Sequence, residues 1–180
     1  DGPEMEGYTD DYVSFVKETY ETVKQTCKGT LMLIEQHLDF SSYVPDGFGT
    51  GDCVIVADGK LHVIDFKYGQ GLLVSSEHNT QIMLYALGAL ELFDSLYKID
   101  TVAMTIFQPR RENVSTWEMS VDELHDWAEE ILKPKARLAF GGLGEYEAGP
   151  WCQFCKAKIK CRARAEESLR SVKADFDLPP

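Results

Sequence analysis

Positive charge is scarce in this chain. Its 180 residues carry 18 Lys and Arg against 30 Asp and Glu, a formal net charge of −12. That balance argues against a general electrostatic binder of nucleic acid, which needs a basic face or stripe. No apolar run approaches the roughly 20 residues that span a bilayer, so no membrane partner is expected. No secretory leader pattern is present. The Gly-rich stretch Tyr68-Gly-Gln-Gly71 lacks the Lys-Ser/Thr ending of a phosphate loop and opens no Gly-x-Gly-x-x-Gly pattern, so it is not read as a nucleotide cradle. Internal repeats and low-complexity tracts are absent. The chain also lacks an initial Met and starts acidic and polar. It is expected to be a fragment, or the ordered part of a longer protein, with residues 1 to 9 poorly fixed.

What is present describes an ordinary globular protein: 44% hydrophobic and 27% charged residues. The length fits one domain, 1–180, with a real core. The charge reverses locally. From Trp151 to Lys173 there are Lys156, Lys158, Lys160, Arg162, Arg164, Arg170 and Lys173 against only Glu166 and Glu167. Such a patch can hold phosphate even on an acidic protein. Five cysteines, three of them clustered, point to metal or redox chemistry in a reducing compartment rather than to a disulfide framework.

Periodicity supplies the elements. Tyr12, Phe15, Val16, Tyr20 and Val23 recur at helical spacing and predict a helix over 10–27, ended by Gly29. Thr30–Leu38 reads as a strand interrupted by Glu35, with His37 toward solvent. Residues 77–93 read as a helix with Ile82, Met83, Ala86, Leu87 and Leu90 buried, and with Glu77, Gln81 and Tyr85 on another stripe. Thr101–Gln108 is a further strand, and Thr116–Met119 a short extra one. The capping box Ser120-Val-Asp-Glu123 opens a helix to about Phe140, with Leu124, Trp127, Ile131 and Leu138 on its apolar side and Gly141-Gly142 as its stop. The order implies an α/β fold: a mixed central β-sheet flanked by helices.

The stretch from Gly49 to Lys67 carries the chemistry. Asp58-Gly59 between two alternating apolar runs is a strong hairpin signal. A two-residue loop sets Val54 against Val63 and, further down, Asp52 against Asp65. Side chains alternate, so Asp52, Asp65 and Lys67 are expected on one face. Cross-strand neighbours have Cβ atoms about 5 Å apart. Two carboxylates at that separation repel unless a cation lies between them. Hard oxygen ligands of this kind suit Mg²⁺ or Mn²⁺, with Glu35 of the adjacent strand placed to complete the set. The bland alternatives are solvated acids at a frayed hairpin end and a snorkelling Lys67.

Gly51-Asp52, Ile64-Asp65-Phe66-Lys67 and Gln81-x-x-x-Tyr85, in that order, resemble the PD-(D/E)XK nuclease superfamily, in the branch of the RecB nuclease domain and the CRISPR-associated exonucleases. Uncharacterised phage and prophage proteins of that branch are the nearest in likeness. The resemblance covers about residues 30 to 165. It implies a restriction-endonuclease-like core and a metal-dependent DNA exonuclease in phage-type recombination or DNA processing. Asp52, Asp65 and the Phe66 carbonyl would hold the metal, and Lys67 would orient or deprotonate the attacking water. Gln81 and Tyr85 would face the substrate. The partners implied are DNA, as single strands or duplex ends, and phage recombination proteins, in the cytoplasm of a bacterial host. The branch often adds a His from an upstream helix, and no His precedes His37 here.

Cys152-x-x-Cys155-x5-Cys161, within a segment at 150–165, has thiolate–metal spacing. In the resembling branch, three such cysteines and one far upstream hold a [4Fe–4S] cluster, and the fourth ligand is expected before residue 1. Cys27 and Cys53 read as core thiols. A three-Cys zinc site is the other metal reading, although no His follows nearby to complete it. Two competing functions stand beside the nuclease: a non-catalytic DNA-binding or assembly module that keeps the fold, and a structural metal-binding protein.

Overall fold

The computed structural model describes residues 2–176, in two compact units that divide between Arg137 and Leu138. The first unit opens with helix α1, Pro3–Thr26. Residues 3–9, expected to be loose, are therefore helical. Pro3 sits in the first turn with Glu4 and Glu6, and Lys24 lies in the last turn. Proline suits the first helical position, and these charges complement the helix dipole. The acidic start is thus a helix signal rather than a disorder signal. Cys27 is the extended, half-buried residue that ends α1, not a core thiol within it.

Five strands follow: β1 (Leu31–Asp39), β2 (Phe48–Ala57), β3 (Gly59–Phe66), β4 (Ile99–Gln108) and β5 (Asn113–Ser120). They lie in the sheet in chain order, antiparallel except for the parallel β3–β4 pair. The β2–β3 turn has the expected register, with Ala57 opposite Lys60 and Val54 opposite Val63. Gly59 takes φ +90 there, a conformation open to glycine. Asp58 Oδ1 accepts from the Lys98 N–H at 2.9 Å and ties the turn to the approach of β4. β5 is a full strand of 8 residues, longer than the 116–119 expected, and its alternating exposure marks a half-solvated edge.

Parallel strands need a long crossover, and here it contains α2, Thr80–Phe93. Asn79 Oδ1 caps it by accepting from the Gln81 and Ile82 N–H groups. The helix therefore begins after Glu77, and Glu77 does not join the stripe of Gln81 and Tyr85. The five residues expected to be buried on α2 are buried. They meet Leu38, Val54, Val56, Leu61, Val63, Val102, Met104 and Ile106 in the main core. α1 covers the opposite face, where Val16 packs with Cys53, Ile55 and Ile64. Among the described residues no helix is long and apolar enough to cross a membrane.

The Ser120–Glu123 capping box forms as expected and opens α3, Val121–Trp127. A π-turn at Ala128–Leu132 then precedes α4, Lys133–Phe140. Pro134 has no N–H to donate, and a wide turn accommodates that gap. The extra residue rephases the apolar stripe. Leu124 and Ala128 are buried and Leu132 packs on the core, whereas Ile131 and Leu138 are exposed, against expectation.

The second unit starts within α4. Its helix end uses Gly142 at φ +66, with Gly142 N–H donating to the Ala139 carbonyl and Leu143 N–H to that of Leu138. A 3₁₀ turn at Pro150–Gln153 and helix α5, Arg162–Phe176, follow.

Candidate active site

At the end of the β2–β3 pair the ladder breaks. Its last paired residues are Cys53 and Ile64, and β1 pairs with β2 on both sides of Glu35 and Asp52 but not at them. Glu35 takes φ 52, a left-handed conformation that is strained for a side-chain residue. The side-chain alternation steps by one residue here. A Cβ on Gly51 would lie 2.9 Å from Leu38 Cδ1 and 3.5 Å from Val54 Cγ2, so positions 51 and 54 face the same core. Asp52 does not simply stand across from Asp65. Its Oδ2 accepts from the Phe66 N–H at 2.6 Å, taking the place of a strand carbonyl.

Asp65 is buried at 6% exposure. Lys67 Nζ lies 2.8 Å from its Oδ2, but off the direction of a hydrogen bond, so this buried oxygen has an ion pair and no hydrogen bond. Lys67 Nζ donates to Gln81 Oε1 at 2.9 Å, and Gln81 Nε2 donates to Tyr85 Oη at 3.0 Å. The ammonium can only donate, which fixes the Gln81 amide with its oxygen toward Lys67. Tyr85 Oη then accepts, and its own hydrogen is left to donate outward. Asp65, Lys67, Gln81 and Tyr85 thus form one polar run from sheet to helix, in which the Lys67–Gln81 bond joins the two pairs that spacing puts together.

The electrostatics favour a cation. Burial pushes the Asp52 carboxyl above its ordinary range. The Phe66 N–H bond lowers it, the Asp65 and exposed Glu35 carboxylates raise it further, and Lys67 draws it down. Two other acids and one lysine thus act on the Asp52 carboxyl. The buried Asp65 oxygen without a hydrogen bond and the disfavoured ionisation of Asp52 both fit a hard divalent ion. Among the described residues, however, no group of three His, Cys, Asp or Glu side chains is arranged to hold a metal ion.

The connection from Lys67 to α2 is held from β4 and β5. Gln108 Oε1 accepts from the Val74 N–H, and Ser115 Oγ from the Ser76 N–H. Tyr12 of α1 also belongs to this surrounding, although periodicity marked it only as a packing residue. Its ring lies 4.8 Å from that of Phe66, and its hydroxyl is buried without a partner. Burial, then Cys53, Asp52, Asp65 and Glu35, push that hydroxyl well above the ordinary tyrosine range. Nothing in the spacing of α1 signals this. Cys53 is buried in the core as expected, its thiol pushed up to about 12 by burial and then by Asp52, which leaves it inert.

Gly49 sets the width of the site. A Cβ there would lie 2.5 Å from Tyr85 Cε1. Gly49→Ala is expected to displace the Tyr85 ring, break its bond with Gln81, and cost about 1–3 kcal/mol by overpacking. Urea unfolding checks the stability, and a parental value would show that the ring has room to move.

In the second unit, Cys155 N–H donates to the Cys152 carbonyl and Gly149 N–H to Cys152 Sγ at 3.4 Å. Cys161 stands just before α5, and its carbonyl accepts from the Ala165 N–H. The three thiols are not gathered into a metal-holding group among the described residues. They also supply one ligand fewer than a four-ligand zinc or [4Fe–4S] site takes.

Residues 2–180 match a family model described as "Protein of unknown function (DUF2800)". A solved structure titled "Crystal structure of SSO0001" is similar at 16% identity and a TM-score of 0.39, covering 83% of this chain and 68% of that one. That likeness is too slight to bear on fold or activity.

Proposed function

This chain belongs to the DUF2800 family, and we propose that it is a metal-dependent deoxyribonuclease of PD-(D/E)XK type, acting as an exonuclease in phage-type DNA processing. The observation that carries the reading is the buried Asp65 oxygen, which lies beside Lys67 and has no hydrogen bond. Asp52, Asp65, Glu35 and the Phe66 carbonyl are the residues that would hold Mg²⁺ or Mn²⁺. The ion, when bound, lowers the pKa of a water and neutralises charge on the phosphate.

The chain's own groups do the rest. Lys67 donates to Gln81 and pairs with the charge of Asp65, which leaves N–H groups for the attacking water or the scissile phosphate. Tyr85, polarised by the Gln81 amide, offers its hydrogen to a phosphate oxygen. Both are held before substrate arrives, so their dipoles need little reorganisation. A gel assay on end-labelled single- and double-stranded DNA with Mn²⁺ tests the activity. No cleavage of either would leave a non-catalytic DNA-binding module.

Metal binding is tested separately from activity. The Asp52 carboxyl is raised in the folded state, so its contribution to stability is full below the ordinary carboxylate range and is lost as pH rises through the raised value. A bound divalent ion offsets that loss. At a free concentration of about a hundred times Kd it stabilises by about 2.7 kcal/mol. Mg²⁺ is therefore expected to raise the melting temperature at neutral pH and to have little effect at acid pH. An equal shift in the Asp52→Asn variant would place the ion elsewhere.

A further inference from the structure

A second polar surface lies in the unit that begins at Leu138. Between Trp151 and Arg164 there are five cations, Lys156, Lys158, Lys160, Arg162 and Arg164, and no acid, on a chain of net charge −12. The same short segment carries exposed aromatics: Trp151 is 58% and Phe154 74% exposed. Trp151 is nevertheless fixed. Its Nε1–H donates to the Glu147 carbonyl at 3.3 Å. Its ring lies so close to Gly149 that a Cβ there would come within 2.4 Å of it. One ring face rests on backbone while more than half of the side chain stays open.

The cations divide by task. Lys158 Nζ donates to the Gln153 carbonyl and Arg164 to the Lys158 carbonyl, which closes the turns on themselves. Arg162 pairs with Glu166. Lys156 and Lys160 make no ion pair among the described residues, and their carriers are held by turns at Lys158 and Lys160 N–H.

We infer that residues 151–164 form a platform for single-stranded nucleic acid, on which bases stack against Trp151 and Phe154 while Lys156 and Lys160 take the adjoining phosphates. A held aromatic ring with an open face, on a segment that also carries unpaired cations, is the pairing of chemistries that sequence-tolerant strand binding uses. Anionic lipid would also attract tryptophan and lysine, but lysines interrupt the apolar residues here, whereas an interfacial segment presents one continuous apolar face. The platform does not depend on the hydrolytic reading, and its test runs in chelator, where cleavage plays no part.

The experiment is fluorescence anisotropy of labelled oligothymidylate with the full chain, with oligouridylate, duplex DNA and anionic vesicles as further arms. Trp151→Ala and Phe154→Ala are each expected to weaken single-strand binding by roughly 5- to 100-fold, and Trp151→Phe by much less. Lys156→Ala with Lys160→Ala should lower the slope of log K against log salt by about 0.7 per lysine. Equal affinity for oligouridylate makes the platform indifferent to the sugar and supports stacking. Phe154→Ala, which leaves Trp151 seated, carries the test if Trp151→Ala loses its helical circular dichroism. Parental affinity in both aromatic variants overturns the inference, as does a preference for duplex or binding to vesicles alone.

Discussion

Asp65→Asn is expected to keep the fold and to lower cleavage by roughly a thousandfold or more, the scale of losing a principal transition-state stabiliser. Asn has the same shape as Asp, so the main core is not disturbed. The charge is what changes. Asp65 is buried, and its Oδ2 has an ion pair without a hydrogen bond. Removing that charge also relieves Asp52, whose ionisation Asp65 opposes. Lys67 loses a partner but is 27% exposed and can hydrate. The variant should therefore melt no lower than the parent, and Mg²⁺ should no longer raise its melting temperature. Cleavage at the parental rate would remove Asp65 from the chemistry. A large drop in stability would make it a structural acid instead.

Lys67→Ala is expected to lower kcat by roughly a hundredfold or more, within the usual range for a positioned acid–base group. DNA affinity, measured in chelator, should change far less. The ammonium acts on charge that grows toward the transition state, so its loss falls on turnover. It also fixes the Gln81 amide, so the alanine variant frees that side chain and, through it, Tyr85. Gln81→Ala separates the two effects, because it leaves the Asp65–Lys67 pair in place. If Lys67→Ala weakened binding alone, the lysine would be a simple phosphate contact.

The hairpin was legible because Asp58-Gly59 admits one register, and Ser120–Glu123 because a capping box is a local hydrogen-bond pattern. The mixed sheet with flanking helices followed from that punctuation. Spacing alone pairs Asp65 with Lys67 and Gln81 with Tyr85, since i+2 on a strand and i+4 on a helix keep side chains on one face, but the Lys67–Gln81 bond that joins the two pairs depends on how α2 packs on the sheet. The ladder step at Glu35 and Asp52 could not. It depends on a left-handed Glu, a conformation with no composition signal, and it turns Asp52 onto the Phe66 N–H instead of squarely toward Asp65. The π-turn before Pro134 was hidden for a related reason: a missing N–H can end, kink or widen a helix, and packing decides which. Helical spacing gives Tyr12 only as a packing ring, and its orphaned hydroxyl appears once α1 lies on the sheet.

The strands lie side by side in the order in which they are made, and this governs how the molecule assembles in time. Glu35 to Tyr85 is one uninterrupted stretch of chain, and the bonds Asp52–Phe66 and Lys67–Gln81 each join residues 14 apart. Closures of that length take on the order of 100 ns or less. The slow search lies outside the acid cluster, in the parallel β3–β4 pairing, which must wait for the whole α2 crossover to fold back. Refolding is therefore expected to gather the reactive groups early and to anchor them late, when β4 brings Gln108 and β5 brings Ser115 to fasten the segment between Lys67 and Gln81.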